Sequence, residues 1–99
     1  MPDWHLYLVR TRDGRLYTGI ATDVVRRIAE HTAGGVRGAK SLRSRGPLEL
    51  AYEVRLGSRK LALRAEHRLK KLSRPQKQAI VESRPGGKDL LALLAIAPD

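Results

Sequence analysis

Residues 4–20 read Trp4-His5-Leu6-Tyr7-Leu8-Val9-Arg10-Thr11-Arg12-Asp13-Gly14-Arg15-Leu16-Tyr17-Thr18-Gly19-Ile20, and how this stretch folds back on itself decides the architecture. Residues 4–10 are rich in Leu, Tyr and Val and alternate as a strand does; residues 16–20 read as the antiparallel partner. Residues 11–14 hold Asp13 and Gly14 and make a turn. A two-residue Asp13-Gly14 loop would set Tyr17 opposite Arg10 and send the two tyrosines to opposite faces of the sheet. A three-residue loop, Arg12 to Gly14 with Gly14 left-handed, shifts the pairing by one and puts Tyr7 and Tyr17 on the same face. The three-residue loop is the expectation.

Beyond the hairpin, Asp23 suits the N-cap of a helix whose inner side is Val24, Val25, Ile28 and Thr32, with Gly34 and Gly35 ending it. Arg27 and His31 lie four apart on the flank of that side and can reach over the sheet edge together, while Arg26 and Glu30 point to water. Residues 34–47 carry four glycines with Arg37, Lys40, Arg43 and Arg45 and no acid, which reads as a mobile basic loop. Leu48, Leu50, Tyr52 and Val54 then alternate with more polar residues, as in a third strand buried on one face. Ser58 caps a helix running to Leu72 with Leu61, Ala65, Leu69 and Leu72 inward and Glu66 at the edge of that stripe. Ser73 and Gln76 form a capping box that starts a short helix to about Glu82. Residues 84–87 break the chain, and residues 89–95 suit a last short helix that packs either on this domain or on a partner.

The length of 99 residues allows one domain and one core. Cysteine is absent, which excludes a disulfide framework, zinc-thiolate sites and thiol catalysis and fits an intracellular protein. The N-terminus lacks a secretion pattern, and the apolar run 90–97 is far short of the roughly 20 residues that cross a bilayer. A soluble cytoplasmic protein with no membrane partner is expected. Lys and Arg number 20 against 10 Asp and Glu, a net charge of +10 that draws the chain to polyanions, nucleic acid first. Arg predominates among the cations; its fork grips phosphate, although a GC-rich genome would also raise its share.

Five side chains have chemistry to offer. Two phenols can handle a water, a guanidinium can hold phosphate, a histidine can move a proton, and a carboxylate can hold a hard metal ion. Glu66 is the one carboxylate between Glu53 and Glu82, among many cations. It reads either as a salt bridge to Arg59 or Lys70 or as a Mg²⁺ ligand, since that ion keeps much of its water and needs few carboxylates. Tyr7 and Tyr17 are either packing residues with a polar tip or groups that orient or deprotonate water, the latter requiring a phenol shifted below about 10. His5, His31 and His67 show no metal-ligand spacing.

Taken in order, His5-Leu6-Tyr7, Tyr17-Thr18-Gly19, Arg27, His31 and Glu66 resemble the GIY-YIG nuclease family, in particular its small stand-alone bacterial members. The most specific part is residues 16–20 with 26–31. The resemblance covers roughly residues 4–82, with a helical extension over 83–99 in a single domain of residues 1–99. It implies an α/β fold of the α+β kind, a small three-stranded antiparallel sheet flanked by helices, and Mg²⁺-dependent (or Mn²⁺-dependent) hydrolysis of DNA. It further implies that Tyr17 activates the water with Tyr7 beside it, that Arg27 stabilises charge on the phosphoryl group, that His31 assists in positioning or proton transfer, and that Glu66 holds the metal. Departures are His5 for Gly, Thr18 for Ile, Ile20 for a lysine of some members, and Ser41-Leu42 for a Tyr-Thr pair.

The expectation is therefore a DNA endonuclease of low sequence specificity, acting in repair or recombination on nicked, branched or single-stranded DNA, with no obligatory protein partner. Arg37, Lys40, Arg43, Arg45, Arg59 and Lys70 are the expected backbone contacts. The alternative is a nucleic-acid-binding module of the same fold with little or no turnover.

Overall fold

A computed structural model describes residues 2–33 and 48–97, with Thr32 and Ala33 described by their backbone alone. The basic loop, with Arg37, Lys40, Arg43 and Arg45, and the glycines expected to end the first helix lie outside the described residues. In chain order the elements are β1 (Trp4–Arg10), β2 (Leu16–Ala21), α1 (Val24–Ala33), β3 (Glu49–Gly57), α2 (Arg59–Lys70), α3 (Arg74–Ser83) and α4 (Gly87–Leu93). The strands form one antiparallel sheet in the order β2-β1-β3. This is the α+β architecture expected.

The hairpin takes the three-residue loop. Tyr7 pairs with Gly19 and Val9 with Tyr17, the Thr11 amide donates to the Arg15 carbonyl, and Gly14 is left-handed at φ 84°. Paired residues share a face, so Tyr7, Val9, Tyr17 and Gly19 all lie on one side of the sheet.

β1 is central, and both of its faces are covered, which is why Leu6 to Val9 are buried without interruption. Leu6 and Leu8 pack with Tyr52 and Val54 of β3, Leu61, Ala65 and Leu69 of α2, Ile80 of α3, and the C-terminal Leu90, Leu91, Leu94 and Ile96. Tyr7 and Val9 pack on the other face with Ala21, Val24 and Ile28, so α1 covers that side.

Three details differ from the alternation read in the sequence. In β3, Leu8 pairs with Tyr52 but Val9 with Leu50, so Ala51 is an extra residue in a bulge. The bulge turns Leu50 to the opposite face from Tyr52, leaving it 39% exposed, and Leu48 joins the Tyr7 cluster. Val25 of α1 points outward rather than inward. Asp23 does cap α1, accepting from the Arg26 amide, and Ser58 accepts from the Leu61 amide at the start of α2. The Ser73–Gln76 capping box is formed at α3. The last helix starts at Gly87, two residues earlier than expected.

The C-terminal segment packs on its own domain. Arg68 donates to the carbonyls of Leu94 and Ala95 just past the end of α4, and the Tyr52 hydroxyl donates to the Pro85 carbonyl. Among the described residues no helix is long and apolar enough to cross a membrane. Leu90→Ala should therefore cost about 2–5 kcal/mol in urea unfolding, as deletion of a buried Leu does. Leu93→Ala, one helical turn away and exposed, should stay within about 0.5 kcal/mol of wild type.

Candidate active site

Gly19 is where the site begins. A Cβ built there would collide with the far end of the Tyr7 ring. The far end of the Tyr7 ring therefore lies against the backbone of the edge strand at residue 19, a course open to it because that residue has no side chain. Its body is packed in the second core cluster and its hydroxyl reaches the cleft. The packing reading of this tyrosine holds, with its polar tip at the cleft.

An open cleft of about 640 Å³ is lined by Tyr7, Tyr17, Arg27, His31 and Glu66 together, with Thr18, Gly19, Ile20, Lys70 and Lys77 also on its walls. The five groups arrive from four elements. β1 and β2 bring the phenols, α1 brings Arg27 and His31 one turn apart, and α2 brings Glu66.

The Tyr7 hydroxyl is the meeting point. It shares a hydrogen bond with His31 Nε2 at 3.3 Å, receives a hydrogen bond from Arg27, and lies close enough to Glu66 to feel its charge. Burial pushes the Tyr7 phenol above its ordinary 10, and the Glu66 carboxylate adds to that, outweighing the Arg27 guanidinium. Tyr7 thus stays protonated at neutral pH, opposite to the downward shift a phenol base requires. Burial pushes His31 below its ordinary 6.5, and the Arg27 charge pushes in the same direction against Glu30. His31 is neutral at physiological pH, with its Nε2 facing Tyr7.

Glu30 does not point to water. Its side chain is 25% exposed and holds Arg27 at 3.2 Å, with Arg26 at 4.0 Å on its outer side. This residue was missed because a helical acid beside two arginines looks like an ordinary solvated charge. The i,i+3 spacing from Arg27 was the available signal.

Glu66 pairs with Lys70 at 3.6 Å, as one sequence reading had it, while facing the cleft. Lys70 is more than half exposed, so the pair is worth well under about 1 kcal/mol and yields readily. The carboxylate itself is 20% exposed. Among the described residues no three His, Cys, Asp or Glu side chains converge. A cation here would have one protein carboxylate and complete its shell with water and phosphate oxygens, which suits Mg²⁺ and not a structural Zn²⁺.

Arg59, expected at the nucleic acid, stacks over the Trp4 ring at 5.5 Å and does not line the cleft. Lys70 does. Thr18 and Lys77 were missed. Thr18 sits inside the Tyr17-Thr18-Gly19 motif, and its buried hydroxyl has no hydrogen-bond partner among the described residues. Lys77 lies on a helix whose relation to the cleft no local pattern discloses.

A family model described as the GIY-YIG catalytic domain matches residues 3–79, a span that holds all five cleft residues. The UPF0213 protein of Citrobacter koseri and the UPF0213 protein YhbQ of Escherichia coli are each 50% identical to this chain over 94 residues, covering 95% of it and 92% of the relative. The solution NMR structure of a UPF0213 protein from Bacillus halodurans is similar at a TM-score of 0.54 and 36% identity, covering 96% of this chain and 99% of that one.

The Gly19–Tyr7 contact is testable by a double-mutant cycle in urea. Gly19→Ala should cost about 1–3 kcal/mol by overpacking. In a Tyr7→Ala background the same change should cost at least about 1 kcal/mol less, because the ring it strikes is gone.

Proposed function

The chain belongs to the GIY-YIG catalytic domain family, and from that premise we propose that it is a metal-dependent endonuclease hydrolysing DNA phosphodiester bonds with low sequence specificity. The observation that carries this reading is the single cleft in which Tyr7, Tyr17, Arg27, His31 and Glu66 converge.

Glu66 is the residue that would hold Mg²⁺ or Mn²⁺. The bound ion would supply Lewis-acid polarisation of a phosphoryl oxygen and neutralise charge on the leaving group. Arg27, half-buried and aimed by Glu30, binds a non-bridging oxygen and stabilises charge as it grows there. The Tyr17 hydroxyl, partly exposed on the cleft wall, orients the attacking water. Tyr7, held protonated, donates a hydrogen bond, and neutral His31 accepts the proton that Tyr7 passes on. Water entering through Tyr17 thus has a route for its proton along Tyr7 to His31. Sequence selectivity is low because the groups in the cleft address phosphate and not base edges. A role in repair or recombination suits such an activity.

The test uses nicked, branched and linear DNA with Mg²⁺, Mn²⁺ or EDTA. Cleavage should require the metal, and Glu66→Ala, Arg27→Ala and Tyr17→Phe should each lower the rate by about 100-fold or more while binding in EDTA stays within a few-fold. The sign of the pH effect follows from His31. Its pKa lies below 6.5, so it stays neutral down through that pH, and the rate should fall only at more acid pH, where it gains a proton. Wild-type binding without metal-dependent cutting would leave a DNA-binding module in place of the enzyme.

A further inference from the structure

We propose that the β1–β2 turn and the start of α3 form a track for nucleic-acid backbone phosphates that ends at Lys77 inside the cleft, so that the bound strand leaves over the hairpin. This rests on the nuclease reading above. α3 is fastened to the hairpin at two points: Arg74 donates to the Gly14 carbonyl at 2.9 Å, and Arg10 donates to the Gln78 side chain at 3.0 Å. Lys77 lies between these anchors, one turn past Arg74, and lines the cleft beside Leu16 and Tyr17. It makes no ion pair among the described residues, unlike Lys70, which is spent on Glu66.

Outward from Lys77, the turn presents Arg12 and Arg15, both exposed, and α3 presents exposed Arg74. The one acid there, Asp13, is engaged by Arg15 at 3.3 Å and by the Thr11 hydroxyl. The far end of the cleft differs. There Arg26 and Arg27 both pair with Glu30, and with Asp23 alongside two acids offset two arginines. The field is thus lopsided, with excess positive charge on the hairpin side. A polyanion crossing the cleft is drawn that way, and each phosphate contact releases a counterion.

The test is the salt dependence of binding to a fluorescent nicked duplex in EDTA, so that turnover plays no part. Lys77→Ala should lower the slope of log K against log salt by about 0.9, and Arg12→Ala/Arg15→Ala by about twice that. The charge-matched Arg64→Ala/Lys88→Ala, on surfaces away from the cleft, should leave the slope unchanged. The turn variant touches no core residue, so it reports even if Lys77→Ala folds poorly. Equal slopes for the turn variant and the control would overturn the track while leaving metal-dependent cleavage intact. A reduced slope in a protein that never cuts would uphold the track and sink the enzyme. Absence of duplex binding by wild type would overturn both.

Discussion

The site depends on one steric allowance: residue 19 has no side chain, so a phenol rooted in the central strand can lie across the edge strand and present its hydroxyl to the cleft. Without that passage Tyr7 would be an interior residue of the α1 side, its oxygen buried among Val9, Ala21 and Val24. With it, one hydroxyl joins groups from α1 and α2, elements that pack on opposite faces of the sheet. The three-residue turn serves the same end. Its left-handed Gly14 sets the register that brings Tyr17 to the face of Tyr7.

The electrostatics of the cleft are set by burial more than by any one pair. Burial moves Tyr7 and His31 in opposite directions, each toward its neutral form, and a hydrogen bond joins them. Arg27 works against the first shift and with the second, and Glu30 shares its charge. On the proposed nuclease reading Tyr7 carries the proton, with Tyr17 nearer to solvent and His31 as the final acceptor. Glu66 carries only a weak pair with an exposed lysine, which the proposed divalent ion would displace.

Much of this was readable in advance because it is local. The turn length follows from the glycine, the caps from Asp23, Ser58 and Ser73, and the inward stripe of α2 from the spacing of Leu61, Ala65 and Leu69. The five cleft residues came from their motifs and order. What escaped was non-local or broke a period. The bulge at Ala51 reverses Leu48 and Leu50, and no residue there announces it. Lys77 enters the cleft because side-chain bonds from Arg10 and Arg74 fasten α3 to the hairpin sixty or more residues away. Glu30 looked solvated because its partner is named only once Arg27 is seen to turn inward. The C-terminal leucines were apolar enough for either of two neighbours, and packing against Leu6 and Leu8 decided between them.

On the proposed nuclease reading, Glu66, the two phenols and Arg27 border a single place where one divalent cation and one phosphate meet. Paramagnetic broadening of amide NMR signals by sub-stoichiometric Mn²⁺ addresses it directly. The Glu66 and neighbouring Thr18–Gly19 amides should broaden first, and Glu66→Gln should abolish the effect. Broadening centred on another surface, or left unchanged by Glu66→Gln, would contradict it.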